Sequence, residues 1–298
     1  MSESEAHRGV VVAVDGSPSA KVAVDWAARA AAMRNLDLNL VQVLASPVAM
    51  TFPETPMPPG YAKWQEEQGK ANIEAALAIV ADIEPSARPA RVHGEVATGS
   101  TIPTLVDLSA EAELLVVGSR GHGWLRRSLL GSVSSGLIQH AHCPVAVIHD
   151  EDISALNPAT APVVVGCDGS PVSESAVAIA FSEASFRGVP LVAINVWTEL
   201  TVNEVPGLDF PAGAAEAERV LAEQLSGWQE RYPDVEVRRV VAAGRPADQI
   251  LEQSKSAQLV VVGSHGRGGF TGMLLGSVSN AVVQSVQTPV IVARPPRR

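Results

Sequence analysis

The chain has 298 residues, 46% hydrophobic and 18% charged, with 22 Lys+Arg against 32 Asp+Glu and a formal net charge of −10. Such a chain buries large cores, which excludes global disorder, and its length suits two domains. The acidic balance excludes a broad nucleic-acid-binding surface but not a local anion site.

Taken in order, the chain is written twice. GVVVAVDGSPSAKVAVDWAARAA returns as APVVVGCDGSPVSESAVAIAFSEAS, AELLVVGSRGHG as AQLVVVGSHGRG, and LLGSVSSGLIQHAHCPVAVIHD as LLGSVSNAVVQSVQTPVIVARP. Asp15 and Asp168 are 153 residues apart, whereas Gly118 and Gly263 are 145 apart, so the second copy is shorter in its middle. A repeat of this size is a duplicated domain. The domains read as 1–150 and 161–298, joined by the polar, proline-bearing DEDISALNPATAP.

Each copy alternates strand and helix. Val10–Val14 and Val163–Cys167 are short apolar runs suited to strands buried on both faces. Ser17-Pro18 and Ser170-Pro171 then read as a helix cap followed by proline at the first helical position. LDLNLVQVLAS and VPLVAINVWTE predict second strands, followed by proline-rich loops. Long helices are expected over Ala62–Ile83 and Ala212–Arg231. ARVHGEVA and EVRRVVAA predict third strands, and Leu105–Ala112 and Gln249–Ala257 further helices. Fourth strands are expected at Leu114–Val117 and Leu259–Val262, and last strands at Pro144–Ile148 and Pro289–Ala293. This pattern predicts an α/β fold: two tandem, doubly wound domains, each a five-stranded parallel sheet with helices on both faces. A strand order of 3-2-1-4-5 would put a ligand crevice at the carboxyl ends of strands 1 and 4.

The most repeated features fall at those two ends. Asp15 and Asp168 follow strand 1. Strand 4 leads into Gly118-Ser119-Arg120-Gly121-His122-Gly123 and Gly131-Ser132-Val133-Ser134, and in the second copy into Gly263-Ser264-His265-Gly266-Arg267-Gly268 and Gly276-Ser277-Val278-Ser279. The pattern G-x2-G-x9-G-S thus occurs twice at equal spacing. Glycine lets backbone approach a ligand, successive amides form a nest for phosphate oxygens, and a helix N-terminus attracts anions. The strand-1 carboxylate repels phosphate, so it belongs at the sugar or base end, accepting hydrogen bonds. Ala13 and Gly166 are small enough for a ring to lie close, and Val41 and Ile194 could offer main-chain groups to a base edge. Together these residues read as a nucleotide site in each copy. Asp15 and Asp168 equally suit a turn or capping role beside Gly-Ser. Arg120, His122, Arg126 and Arg127, and His265 and Arg267, suit either solvated loop charge or triphosphate neutralisation, and the unmatched cations predict unequal sites. The chain has neither the G-x-x-x-x-G-K-[ST] phosphate loop nor a G-x-G-x-x-G after strand 1.

Both halves resemble universal stress protein domains of the ATP-binding type, in the strand-1 Asp, the G-x2-G-x9-G-[ST] loop and the apolar terminal strand. The tandem layout is similar to that of mycobacterial and other actinobacterial members. The resemblance covers nearly the whole chain. It implies a Rossmann-like sheet, ATP or a related adenine nucleotide, dimerisation, and a role in stress survival and dormancy. By motif position the implied contacts are Asp15, Val41, Gly118, Gly121, Gly131 and Ser132, with Asp168, Ile194, Gly263, Gly266, Gly276 and Ser277 in the second copy; Ala13 departs from the pattern that Gly166 keeps. The resemblance also implies that the terminal strands pair between domains as a pseudo-two-fold unit, and that chains form homodimers.

The reading is a cytoplasmic, ATP-binding regulator with Mg²⁺ as a companion of the phosphates and an unidentified protein partner. The alternative is a slow ATP hydrolase or phosphotransferase, for which no catalytic base repeats beside the glycine loops. Asp15→Ala with Gly118→Val is expected to empty the first site and leave the fold intact. His140-Ala141-His142-Cys143 resembles a metal cluster, yet residues two apart do not share a helix face, and no metal is expected. Cys143 and Cys167 form no disulfide framework, so a reducing compartment is expected. Trp26, Trp64, Trp197 and Trp228 are expected to pack. The polar start MSESEAHRG does not read as a secretory leader, and no apolar run is long enough for membrane insertion.

Overall fold

The computed structural model describes residues 9–45, 59–121, 130–149, 158–197, 210–266 and 274–295. The chain divides into two units, Met1–Glu151 and Asp152–Arg298.

In the first unit, β1 (Val10–Ala13), α1 (Pro18–Met33), β2 (Leu38–Leu44), α2 (Tyr61–Asp82), a 3-10 turn (Pro85–Ala87), β3 (Val92–Thr98), α3 (Thr101–Leu108), β4 (Leu114–Gly118), α4 (Ser132–His140) and β5 (Val145–Ile148) follow in order. The strand order is β3-β2-β1-β4-β5, and every neighbouring pair is parallel. α1 packs on β1 and β4 and beside α2, while α3 and α4 pack together, giving the doubly wound arrangement. Val10, Val11 and Val12 and their neighbours Leu115 and Val116 are wholly buried, as a central parallel sheet covered on both faces requires.

The second unit repeats this with β6 (Val163–Gly166), α5 (Pro171–Arg187), β7 (Leu191–Trp197), α6 (Phe210–Leu225), α7 (Trp228–Arg231), β8 (Val237–Ala243), α8 (Pro246–Ser254), β9 (Leu259–Gly263), α9 (Ser277–Ser285) and β10 (Val290–Ala293). Its order is β8-β7-β6-β9-β10, again parallel. In both units the strand order reverses at the central strands, and in sheets of this order ligands bind beyond the carboxyl ends at that point, here those of β1 and β4, and of β6 and β9.

Local chemistry explains where the first helix of each unit begins. The Ser17 hydroxyl accepts from the Ala20 amide at 3.2 Å, that of Ser170 from Ser173 at 3.2 Å, and Pro18 and Pro171 occupy the first helical positions. Alanines at 20, 23, 27, 30 and 31 form the buried side of α1, so the helix axis lies close to the strands.

Three expectations differ from the structure. The helix expected over Ala212–Arg231 breaks into α6 and α7 at Gly227, whose φ of +81° is left-handed and cannot continue a helix. α3 and α8 lie three or four residues upstream of the expected spans. Buried Ala112 and Ala257 continue the apolar pattern beyond the helix ends, and Pro246 presets the first turn of α8. Trp64 is 53% exposed, its ring 5.6 Å from that of Tyr61, rather than packed in a core. Among the described residues no helix is long and apolar enough to cross a membrane.

Candidate nucleotide site

Asp15 and Asp168 sit in the turns that leave β1 and β6. Each carboxylate bends back on its own chain: Asp15 Oδ1 accepts from the Ser17 amide at 2.9 Å and Asp168 Oδ1 from Ser170 at 3.0 Å. The turn role is therefore real in both copies. It uses one carboxylate oxygen. The other, Oδ2, faces the glycine loop; a methyl group built on Gly121 would stand 2.6 Å from Asp15 Oδ2, and Asp168 Oδ2 is likewise the nearest atom to one built on Gly266. Any side chain at Gly121 or Gly266 would cover that oxygen.

The loop is stitched from within. Gly131 donates to the Ser119 carbonyl at 2.7 Å and Gly276 to the Ser264 carbonyl at 2.7 Å. Ser134 Oγ donates to the Gly118 carbonyl at 2.7 Å, and Ser279 Oγ to that of Gly263. These two buried hydroxyls close the loop rather than face a crevice. Ser119 and Ser264 are also buried, and their amides donate to Ile148 at 2.6 Å and Ala293 at 2.9 Å. Ser132 and Ser277 are exposed at the first positions of α4 and α9, with Val133 and Val278 half-buried behind them. The caps of α4 and α9 are Gly131 and Gly276, which make no side-chain cap bond. A glycine cap has no oxygen to offer, so the first-turn amides keep their donors for something else.

Gly118 and Gly263 have a different reason to be glycine. A Cβ on Gly118 would meet Ser19 C at 2.8 Å and Ala20 N at 2.9 Å; one on Gly263 would meet Val172 Cγ1 at 3.2 Å. They admit the first turn of α1 or α5 rather than a ligand. Gly118→Val would therefore damage the fold, contrary to the expectation that it spares it. Val41 and Ile194 are buried, and their carbonyls accept from Val14 and Cys167, both at 2.8 Å, which uses one lone pair of each. The space beside Gly166 is taken by Ile250, whose Cδ1 lies 3.0 Å from a built Cβ, so Gly166 reflects packing with the opposite helix; Ala13 is half-buried.

Arg120 is exposed and His265 half-buried at their loops, with His265 Nδ1 3.0 Å from Ser264 Oγ. His122, Gly123, Arg126, Arg127, Arg267 and Gly268 lie outside the described residues. His140 and His142 are exposed while Cys143 is buried. Burial, with Asp168 adding to it, pushes the Cys167 thiol well above its ordinary range.

The structure adds residues that spacing did not reveal. On α2, Asn72 Nδ2 donates to the Asp15 carbonyl at 3.3 Å and to Gln42 Oε1 at 3.0 Å. On α6, Gln224 Oε1 accepts from the Gly169 amide at 2.9 Å, and Asn195 Nδ2 donates to the Cys167 carbonyl at 2.7 Å. Gln42 and Asn195 are polar residues at the same place in the apolar second strand of each copy, a signal readable in sequence. Asn72 and Gln224 differ in type and lie outside the repeated blocks.

Fold and site together define a tandem, doubly wound α/β protein in which each unit sets a strand-end carboxylate against a glycine loop. The universal stress protein family model matches residues 7–149 and 160–294, and the chain belongs to that family. It is 52% identical to universal stress protein Rv2623 of Mycobacterium tuberculosis over 294 residues, 99% of each chain. It is 48% identical to universal stress protein Rv1996 of the same organism, over 100% of this chain and 98% of that one. The crystal structure of a universal stress protein from Archaeoglobus fulgidus shares the fold, with a TM-score of 0.68, 22% identity and 96% of each chain covered.

Proposed function

We propose that each unit binds one adenine nucleotide, ATP in the first instance, and that occupancy regulates an interaction with another protein during stress or dormancy. The observation that carries this reading is the pairing, in both units, of a glycine-capped helix N-terminus with a loop glycine set against Oδ2 of the strand-end aspartate. The donor set fits the ligand. The amides opening α4 and α9 suit phosphate oxygens. The Asp15 and Asp168 carboxylates suit ribose hydroxyls, and the carbonyls of Val41 and Ile194 suit an exocyclic amine. Mg²⁺ would be held by phosphate oxygens and water.

Nucleotide extracted by heat from the purified full chain and identified by mass tests this. The expected result is ATP at up to two equivalents per chain, unchanged over hours of incubation. Chains that are empty and take up no labelled adenine nucleotide would overturn the reading. Steady ADP release would replace the regulator with a hydrolase. Gly121→Ala, which covers Asp15 Oδ2, is expected to remove one of the two equivalents while the far-ultraviolet spectrum stays unchanged.

A further inference from the structure

The two aspartate turns are fastened in different ways. In the second unit three consecutive amides are engaged: Asp168 donates to Ser173 Oγ at 3.1 Å, Gly169 to Gln224 Oε1 at 2.9 Å, and Ser170 to Asp168 Oδ1 at 3.0 Å. Ser173 and Gln224 also bond each other, at 3.1–3.2 Å, so α5 and α6 close on the turn together. In the first unit Ala20 stands where Ser173 does, which removes one acceptor. The helix contact is also inverted. Asn72 and Gln224 each lie eleven residues before the buried Ile83 or Val235, but Asn72 bonds the carbonyl side of the turn, at 3.3 Å. Of the first turn's amides, Ser17 is held by Asp15 Oδ1, while among the described residues those of Asp15 and Gly16 have no protein partner.

We infer that Gln224 and Ser173 are positioning residues that lock the strand-end aspartate of the second unit in its ligand-ready geometry, whereas the first unit's turn, with fewer of its amides engaged, has more freedom to lose on binding. The inference rests on the nucleotide reading above. A locked turn has already lost the conformational freedom that binding would otherwise remove, so the second site is the tighter. Gln224 acts through its acceptor oxygen, so the role belongs to that oxygen and not to the bulk of the side chain.

Amide hydrogen exchange on the isotope-labelled full chain reads the lock without nucleotide. Asp168 and Gly169 are expected to exchange more slowly than Asp15 and Gly16; equal rates would overturn the lock. ATP titration calorimetry then reads its consequence. Wild type is expected to show two unequal sites. Gln224→Leu, which keeps the volume and removes the acceptor, should weaken the tighter one about three- to tenfold, the size of one or two net hydrogen bonds. Gln224→Glu, which keeps an acceptor, should restore it. Two equal wild-type sites, an unaltered Gln224→Leu, or a Gln224→Glu as weak as the leucine variant would each overturn the positioning role. A wild type that takes up no ATP would instead fail the nucleotide reading, which the exchange contrast does not depend on.

Discussion

The two units share a backbone plan and differ in what fastens it. In the first, the hydroxyls of Ser17 and Ser19 both donate to the Arg120 carbonyl, tying the glycine loop down to α1. The second has Val172 in place of Ser19 and spends its polar groups on the aspartate turn instead. The far end of the same helix differs as well. Arg34 donates to the Ala30 carbonyl at 2.5 Å, whereas Arg187 forms a buried ion pair with Glu183 at 3.1 Å, at 11% and 3% side-chain exposure, and also donates to Gln258 at 3.0 Å. Burial lowers the Arg187 guanidinium to about 10, so it remains charged at neutral pH. What the two copies hold in common is what the backbone geometry requires; hydrogen bonds with several equivalent solutions have moved.

The largest difference should appear on breaking that buried pair. Glu183→Ala leaves Arg187 charged and buried, and should destabilise the second unit by about 3 kcal/mol. Arg34→Ala, which removes a contact to a main-chain carbonyl, should cost the first unit about 1 kcal/mol or less. Urea unfolding that shows equal losses would remove the contrast. Next in size is the strand-4 glycine. Gly118→Ala drives a methyl group into the backbone of α1 and should cost about 2 kcal/mol, and Gly263→Ala, with 3.2 Å to its nearest neighbours, about 1 kcal/mol. A Gly263→Ala loss as large as that of Gly118→Ala would show that the neighbours of Gly263 do not give way and would remove the contrast.

The smallest effect is one of pH. Cys167 occupies the place of Val14, and its folded thiol is raised above an ordinary value of 9.0 by burial and then by Asp168. A raised acid stays neutral in the fold while the unfolded chain ionises. Its contribution is therefore complete below pH 9 and lost as pH rises further, by about 1 kcal/mol at pH 10. Cys167→Val should abolish this alkaline loss in the second unit. Persistence of the loss in that variant would assign it to another group.

These contrasts also mark how far the residues could be read in advance. Strands, their parallel order and the point where that order reverses followed from apolar runs and two matched blocks, because a strand buried on both faces leaves little choice of residue. The break before Trp228 did not, since Gly227 gains its meaning only from a left-handed φ. Spacing identified Gly118 and Gly121 equally, but one admits a helix and the other uncovers a carboxylate oxygen, and only their neighbours distinguish them. Asn72 and Gln224 were hidden because the helix that carries them is where the copies diverge most, and because an amide side chain can serve the same turn as donor or as acceptor.

The break at Gly227 has one more effect. It sets the Trp228 ring 5.9 Å from Phe181 and 6.2 Å from Tyr232, all three stacked within 28° of parallel, with the Arg231 guanidinium 5.5 Å from the indole centre. Ala28 stands in the place of Phe181 in the first unit. The second half of the chain thus carries its own coupled chromophore, an optical label by which its folding can be followed in the intact polypeptide without adding a dye.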